Sequence, residues 1–220
     1  MSLILTIDST LQQATVCLAQ NGLVLGYKTN NNQKEHSSFV HTAIASLMMG
    51  YHYAQLSAIA VTEGPGSYTG IRVGYAAAKG LCFALDTPLI TYSSLLALAQ
   101  SAAYILPQHE AFLLCPMIDA RRMEVFSAIY CNRLKEIEAP SATILTNKSY
   151  THLLDHNKIY FFGNGMPKWK EINSHQNAYY IECEIDNNTL AALSQQYFIQ
   201  KKFSNLQISL PNYAKQFQNM

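Results

Sequence analysis

The runs LILTIDS, ATVCLAQ and LVLGYKT at the start of the chain recur in outline after Pro107 as LLCPMIDARR, EVFSAIY and LKEIEA. Each run is short, rich in apolar and β-branched residues, and bounded by turn residues. Asn21-Gly22 in the first set and Cys131-Asn132 in the second stand where a hairpin reverses. Both triplets read as three antiparallel strands, and each ends its first strand on an aspartate, Asp8 and then Asp119. A 220-residue chain that opens the same sheet-forming unit twice is restricted to two similar α/β halves. The boundary falls at Leu106-Pro107, giving halves 1–106 and 107–220.

Periodicity supplies the rest of each half. Phe39, Val40, Ala43, Ile44, Leu47 and Met48 recur at helical spacing, with Gly50 placed to close that helix. LSAIAVT then reads as a buried strand, Gly70 to Leu85 as a helix, PLITY as a strand and Ser94 to Tyr104 as a helix. The order β-β-β-α-β-α-β-α predicts a mixed sheet covered by helices. The second half is less regular: SYTHLLDHN predicts a short helix, KIYFFGNG a strand and turn, and TLAALSQQYFIQKKF a helix. The polar tail from Ser204 is expected to be an edge strand or a docked terminus.

Fifteen basic and fourteen acidic residues leave a formal charge of +1, which argues against a stand-alone nucleic-acid binder. The five cysteines are odd in number and widely spaced, without a Cys-x-x-Cys, so they read as buried thiols of a reducing compartment. MSLILTIDST lacks a basic leader and a long apolar core, and no run is long enough to span a bilayer. The expectation is a soluble cytoplasmic protein without a membrane partner.

The glycine-rich stretch GPGSYTGIRVG, between a strand and a helix, invites comparison with a phosphate cradle. A Walker loop needs Lys and Ser/Thr after its last glycine, where Ile71 and Arg72 stand, and a dinucleotide fingerprint wants Gly in the place of Thr69. Ser67 lacks the G-x-S-x-G context of a hydrolase nucleophile. Gly64, Pro65, Gly66, Ser67, Tyr68, Thr69 and Arg72 therefore form a structural loop. In the helix that follows, Gly70, Gly74 and Ala78 make a stripe of small residues, with Ala77, Leu81 and Cys82 supplying apolar contact. That stripe would let another helix backbone approach closely, from the protein's own fold or from a partner.

Asp8 and Asp119, at strand ends opening into turns, could accept backbone N–H groups or hold magnesium through water: a turn site or a residual nucleotide site. His36 and His41 are five residues apart and point to different helix faces. His152 and His156, spaced i, i+4, could share a metal, but no further Cys or His cluster supports them. No metal site or catalytic residue is assigned.

LILTIDST, VTEGPGSYTGIRVG running into AAAKGL, and PMIDARRMEVFSAIY together resemble the TsaB (YeaZ) family of bacterial tRNA threonylcarbamoyladenosine biosynthesis proteins. The match is close over the first two-thirds of the chain, and thereafter in outline through GNGMPKW and LPNYAKQF. The resemblance implies a duplicated actin-like fold of the sugar-kinase and heat-shock ATPase type. It implies a non-catalytic partner of the transferase TsaD, acting with TsaE, in making N6-threonylcarbamoyladenosine at position 37 of tRNAs reading ANN codons. It further implies docking through N-terminal-domain helices at Gly70, Gly74, Ala77, Ala78, Leu81 and Cys82, and a homodimer when alone. ATP and metal are expected on the partner proteins and no cofactor on the isolated chain, with tRNA reached only through the complex. TsaD carries a His-x-x-x-His metal pair after the strand equivalent to PLITY, whereas Thr91 to Ala99 here reads TYSSLLALA. The competing expectation is an active actin-like ATPase or phosphotransferase, or a glycoprotease-like hydrolase, using Asp8 and Asp119.

Overall fold

All six residues of LILTID are buried, the pattern of a strand flanked on both edges and covered on both faces. In the computed structural model, which describes residues 1–107 and 109–214, this segment is β1 (Leu3–Asp8). It pairs antiparallel with β2 (Ala14–Gln20), from Leu3 opposite Gln20 to Asp8 opposite Thr15, and parallel with β4 (Leu56–Thr62). With β3 (Leu23–Asn30) and β5 (Leu89–Tyr92) the sheet runs β3-β2-β1-β4-β5.

Alternation along β1 decides which helix covers which face. Ile7 points toward α2 (Tyr68–Leu85), and α1 (His36–Leu47) lies beside α2 on the same side. Thr6 points the other way and meets Ser194 of α6 (Asn187–Ile199), Oγ1 to Oγ at 2.8 Å. Tyr92 of β5 reaches the same serine through its hydroxyl at 3.1 Å. These bonds satisfy polar groups inside an otherwise apolar contact made by Leu190, Ala191 and Leu193.

The second sheet repeats the first. Its strands are β6 (Leu113–Asp119), β7 (Glu124–Cys131), β8 (Glu136–Ile144), β9 (Ile159–Phe162) and β10 (Ala178–Tyr180), in the order β8-β7-β6-β9-β10. β6 takes the place of β1: antiparallel to β7, parallel to β9, and closing with Asp119 opposite Val125. The duplication read from the two strand triplets is thus present in the topology. Trp169 of α5 (Met166–Ile172) is fully buried in the second core with Tyr150, Phe161 and Leu154, the last from the single turn α4 (Thr151–Leu154).

The compact units divide differently from the halves 1–106 and 107–220. One comprises Met1–Ser94 and Asp186–Asn212; the other comprises Leu95–Ile185, so α3 (Ser94–Ile105) groups with the second unit from Leu95 onward. Helical periodicity announces α6 but carries no label for the sheet it covers. The Thr6 face of the first sheet is the one its apolar side fits. The tail beyond α6 docks onto the first unit, where Ser204 bridges the edge strand at Leu89, N to O at 2.8 Å. Residues of LPNYAKQF from Lys215 onward lie outside the described residues.

Candidate partner-binding face

The GPGSYTG turn is packed against its own chain. Ser67 N–H donates to the Thr10 carbonyl at 2.7 Å, and a side chain at Gly66 would overlap that same carbonyl. Ser94 donates through its N–H to the Gly64 carbonyl at 2.9 Å and through its hydroxyl to the Pro65 carbonyl at 2.5 Å. The Ser67 hydroxyl caps α2 by accepting from Gly70 N–H at 3.3 Å. The Thr10 carbonyl thus takes the Ser67 N–H, and the Thr10 and Ser9 carbonyl oxygens stand in the space beside Gly66 and Gly70 that an anion would need.

Asp8 is 3 % exposed, and three donors converge on its Oδ1: Thr10 N–H at 3.0 Å, Thr10 Oγ1 at 2.7 Å and Thr62 Oγ1 at 2.6 Å. It closes an Asx turn and ties the end of β1 to the end of β4. Asp119 also accepts from the N–H two residues on, Arg121 at 2.6 Å, but it is exposed and pairs with Lys168 Nζ at 2.5 Å. Partial desolvation raises its pKa; the Lys168 ammonium and the Arg121 N–H outweigh that and hold the carboxyl below the usual range.

Two expectations are corrected. The stripe Gly70, Gly74, Ala78 and Cys82 is no partner surface, because it faces the first sheet. A Cβ at Gly70 would overlap the Ser9 carbonyl oxygen, one at Gly74 would lie 2.5 Å from Ser9 Oγ, and Ala78 is 0 % exposed. Close approach is the reason for the small residues, but what they approach is Ser9, directly after β1, by its backbone at Gly70 and its hydroxyl at Gly74. The second correction concerns His152 and His156. α4 ends at Leu154, so they do not share a helix, and His152 Nε2 instead meets Glu138 Oε1 at 2.8 Å. His36 and His41 do diverge: His36 is buried against the Gln12 carbonyl at 3.2 Å, and His41 is exposed.

The other two interface candidates, Ala77 and Leu81, line a groove of about 530 Å³ between α1 and α2, together with His41, Ile44, Val73, Ala76 and Gly80. Around this groove α2 presents an outer face distinct from the buried stripe. Ala76, Gly80 and Ala84 repeat at i, i+4 on exposed positions, nothing lies within 4 Å of a Cβ built at Gly80, and Phe83 is 82 % exposed. A glycine in a helix interior costs about 1 kcal/mol relative to alanine, and here nothing in the protein's own fold uses the space. The sequence signal for this face lies in α2 itself, whose residues carry a second row of small side chains in the other helical phase.

All five cysteines are free; burial pushes the Cys17 and Cys82 thiols up to about 12, away from nucleophilic chemistry. Among the described residues no group of three or more His, Cys, Asp or Glu side chains is placed to hold a metal ion, and no helix is long and apolar enough to cross a membrane.

Two mixed sheets of identical strand order, each opened by an aspartate-terminated strand, define a duplicated actin-like α/β protein. The profile described as TsaD: tRNA N6-adenosine threonylcarbamoyltransferase matches residues 24–216, and the chain belongs to this family. Curated relatives named tRNA threonylcarbamoyladenosine biosynthesis protein TsaB include one from Bacillus subtilis, 34% identical over 146 residues, covering 64% of this chain and 62% of the relative. Another, from Haemophilus influenzae, is 36% identical over 128 residues, covering 56% of this chain and 51% of the relative. The chain thus spans only about half to three-fifths of these curated relatives. A solved Pseudomonas aeruginosa protein, described as similar to the peptidase YeaZ, superposes with a TM-score of 0.83 over 98% of this chain and 100% of that one at 22% identity, a likeness of fold. The resemblance to the TsaB (YeaZ) group, read from LILTIDST, GPGSYTGIRVG and PMIDARRMEVFSAIY, is upheld.

Proposed function

We propose that this chain is a non-catalytic subunit in the synthesis of N6-threonylcarbamoyladenosine at position 37 of tRNAs reading ANN codons. It works beside a TsaD-type transferase and TsaE, and docks through the outer face of α1 and α2. Family membership supports the pathway, and the TsaB names of the relatives support the subunit role. The observation that carries the docking site is the groove between α1 and α2, where Gly80 leaves open space beside an exposed Phe83. An apolar face of this kind marks an interaction site. ATP and metal chemistry belong to the partner proteins, and tRNA is reached through the complex; in isolation the same face pairs two copies of the chain.

A non-catalytic role is supported from within the fold. The Asp8 carboxylate is bound by Thr10 and Thr62, Asp119 is bound by Lys168, and the segment after β5 carries neither histidine nor carboxylate through Ala99. The test is co-purification with a cognate TsaD-type transferase, followed by tRNA modification in a reconstituted system. The transferase should be inactive or weakly active until this chain is added, and Gly80→Leu, whose Cβ would have no atom of its own fold within 4 Å, should weaken binding at least tenfold, about 1.4 kcal/mol. Unchanged binding by Gly80→Leu places the docking site elsewhere, and ATP turnover by the isolated chain refutes the non-catalytic role.

A further inference from the structure

The duplicated sheet supplies its own comparison for the turn that follows each aspartate-terminated strand. After Asp8 the chain runs Ser9, Thr10, Leu11, Gln12 and Gln13, all uncharged, and the first two are buried. After Asp119 it runs Ala120, Arg121, Arg122 and Met123, and the last three are exposed. A position that is neutral and enclosed in the first unit is cationic and open in the second.

The backbone of this turn makes the two arginines a costly choice. Arg121 and Arg122 are both left-handed, with φ of 70° and 50°. A residue with a Cβ enters that region at a cost, and Gly and Asn enter it most readily. The β2–β3 reversal of the same protein also needs two left-handed residues in succession, and it uses Asn21 and Gly22 at φ of 51° and 80°. Turn chemistry therefore favours Asn-Gly at 121 and 122 as well. The fold makes little use of the arginines that stand there instead: among the described residues neither forms an ion pair, and Arg121 acts on Asp119 only through space.

The cationic surface extends beyond the turn. Leu145 donates its N–H to the Met123 carbonyl at 2.7 Å, which brings the loop 146–149, with exposed Asn147 and Lys148, beside the hairpin tip. Lys168 Nζ reaches the Glu124 carbonyl at 3.3 Å and neutralises Asp119. Among the described residues Lys148, like the two arginines, has no ion-pair partner. A formal charge of +1 for the whole chain conceals this local excess. Cations spread over two open, adjoining loops suit a long polyanion touched along its surface, and a guanidinium takes a phosphate through two parallel N–H bonds.

We infer that Arg121, Arg122 and Lys148 form a contact surface for the phosphate backbone of RNA, through which this chain helps to hold the tRNA substrate while its partner carries out the chemistry. This rests on the chain working in a tRNA-modifying complex, and it gives the chain a direct share in substrate binding. Phosphate contacts fix the position of a nucleic acid without reading its bases, so the surface sets placement and not sequence preference. Backbone strain at Arg121 and Arg122 is kept for a contact made outside the protein's own fold.

The test is a double variant that improves the turn while removing its charge. Arg121→Asn together with Arg122→Gly should raise the melting temperature of the full chain, since both replacements favour left-handed backbone. It should still co-purify with the cognate TsaD-type transferase. Binding of an unmodified tRNA transcript by that complex should weaken tenfold or more, and the slope of log affinity against log salt should become shallower by about two, with about one more for Lys148→Gln. Turnover at saturating tRNA should be unchanged, so that KM rises at constant kcat. Unaltered tRNA affinity and salt slope overturn the inference and leave the proposed function standing. Loss of transferase binding also overturns it, by assigning the turn to a protein interface. A wild-type complex that binds no tRNA removes both the inference and the reading on which it rests.

Discussion

The Ser9 hydroxyl donates to the Gly70 carbonyl at 2.7 Å, and the Ser9 carbonyl lies where any side chain at position 70 would have to go. The first turn of α2 is thereby fixed on the end of β1, and the two helical phases of α2 acquire opposite sensitivities. Gly70→Ala and Gly74→Ala should destabilise the protein by overpacking, about 1 to 3 kcal/mol each, the former more because the obstacle is backbone. Ala78→Trp should abolish the native fold. Gly80→Ala should stabilise the chain by up to about 1 kcal/mol. Urea unfolding followed by circular dichroism measures all four, and a destabilising Gly80→Ala would contradict the open space around that residue.

At Asp8 the prediction turns on which atoms are satisfied. Asp8→Asn retains an oxygen for Thr10 and Thr62, so modification activity in a reconstituted system should fall little. Asp8→Ala strands three donors in a buried place and should cost roughly 1 to 3 kcal/mol in stability. A loss of about 100-fold in turnover for Asp8→Asn with stability intact, about 2.7 kcal/mol in the barrier, would indicate catalysis instead.

Two carboxylates give pH dependences of opposite sign. Asp119 has a folded pKa held below its ordinary 3.8 by Lys168 and Arg121, so its contribution is fully present above that value and disappears as pH falls through the folded pKa. Asp119→Asn should therefore lose stability at neutral pH, about 0.2 to 1 kcal/mol for a pair this exposed, and match the wild type in acid. Glu63 is raised from its ordinary 4.5 by burial, against a bond from Thr91, so the folded state holds its proton more tightly. Its stabilising effect is present below 4.5 and is lost as pH rises through the folded pKa. Glu63→Gln should be more stable than the wild type at neutral pH and equal to it below that ordinary value; melting temperatures measured from acid to neutral pH check both.

Trp169, the single tryptophan, is fully buried with its Nε1–H unpaired, edge-on to Tyr150 at 5.4 Å between ring centres. Trp169→Phe sacrifices no hydrogen bond and should cost clearly less than the roughly 3 to 5 kcal/mol expected for Trp169→Ala. Equal losses for the two would mean that the indole N–H is satisfied after all.

The strand triplets are legible in the sequence because their signals are local: alternation, hairpin residues, and an aspartate closing the first strand of each. Tyr68–Leu85 is equally clear as a helix, yet its stripe of small residues reads as a partner surface. Gly70 and Gly74 record only that a backbone comes close, and that backbone is Ser9 in a distant segment. α5 and β10 escape a sequence reading for a different reason. Pro167 in MPKWKEI looks like a breaker although the first helical turn tolerates it, and Ala178–Tyr180 is too short to show alternation. Helix α6 is visible and its destination is not, since an apolar face fits any sheet of matching width.

The return of α6 to the first sheet sets an order on biosynthesis. A chain emerging from its N-terminus presents Thr6 and the whole face around it before any residue that will cover them has been translated. Strands β6 to β10, with their own buried tryptophan, all precede α6, so the second core has its full complement of residues before the first. The earliest sheet to be made is thus the last to be finished, and a nascent chain halted anywhere before Ile199 displays an uncovered apolar sheet to the chaperones around it.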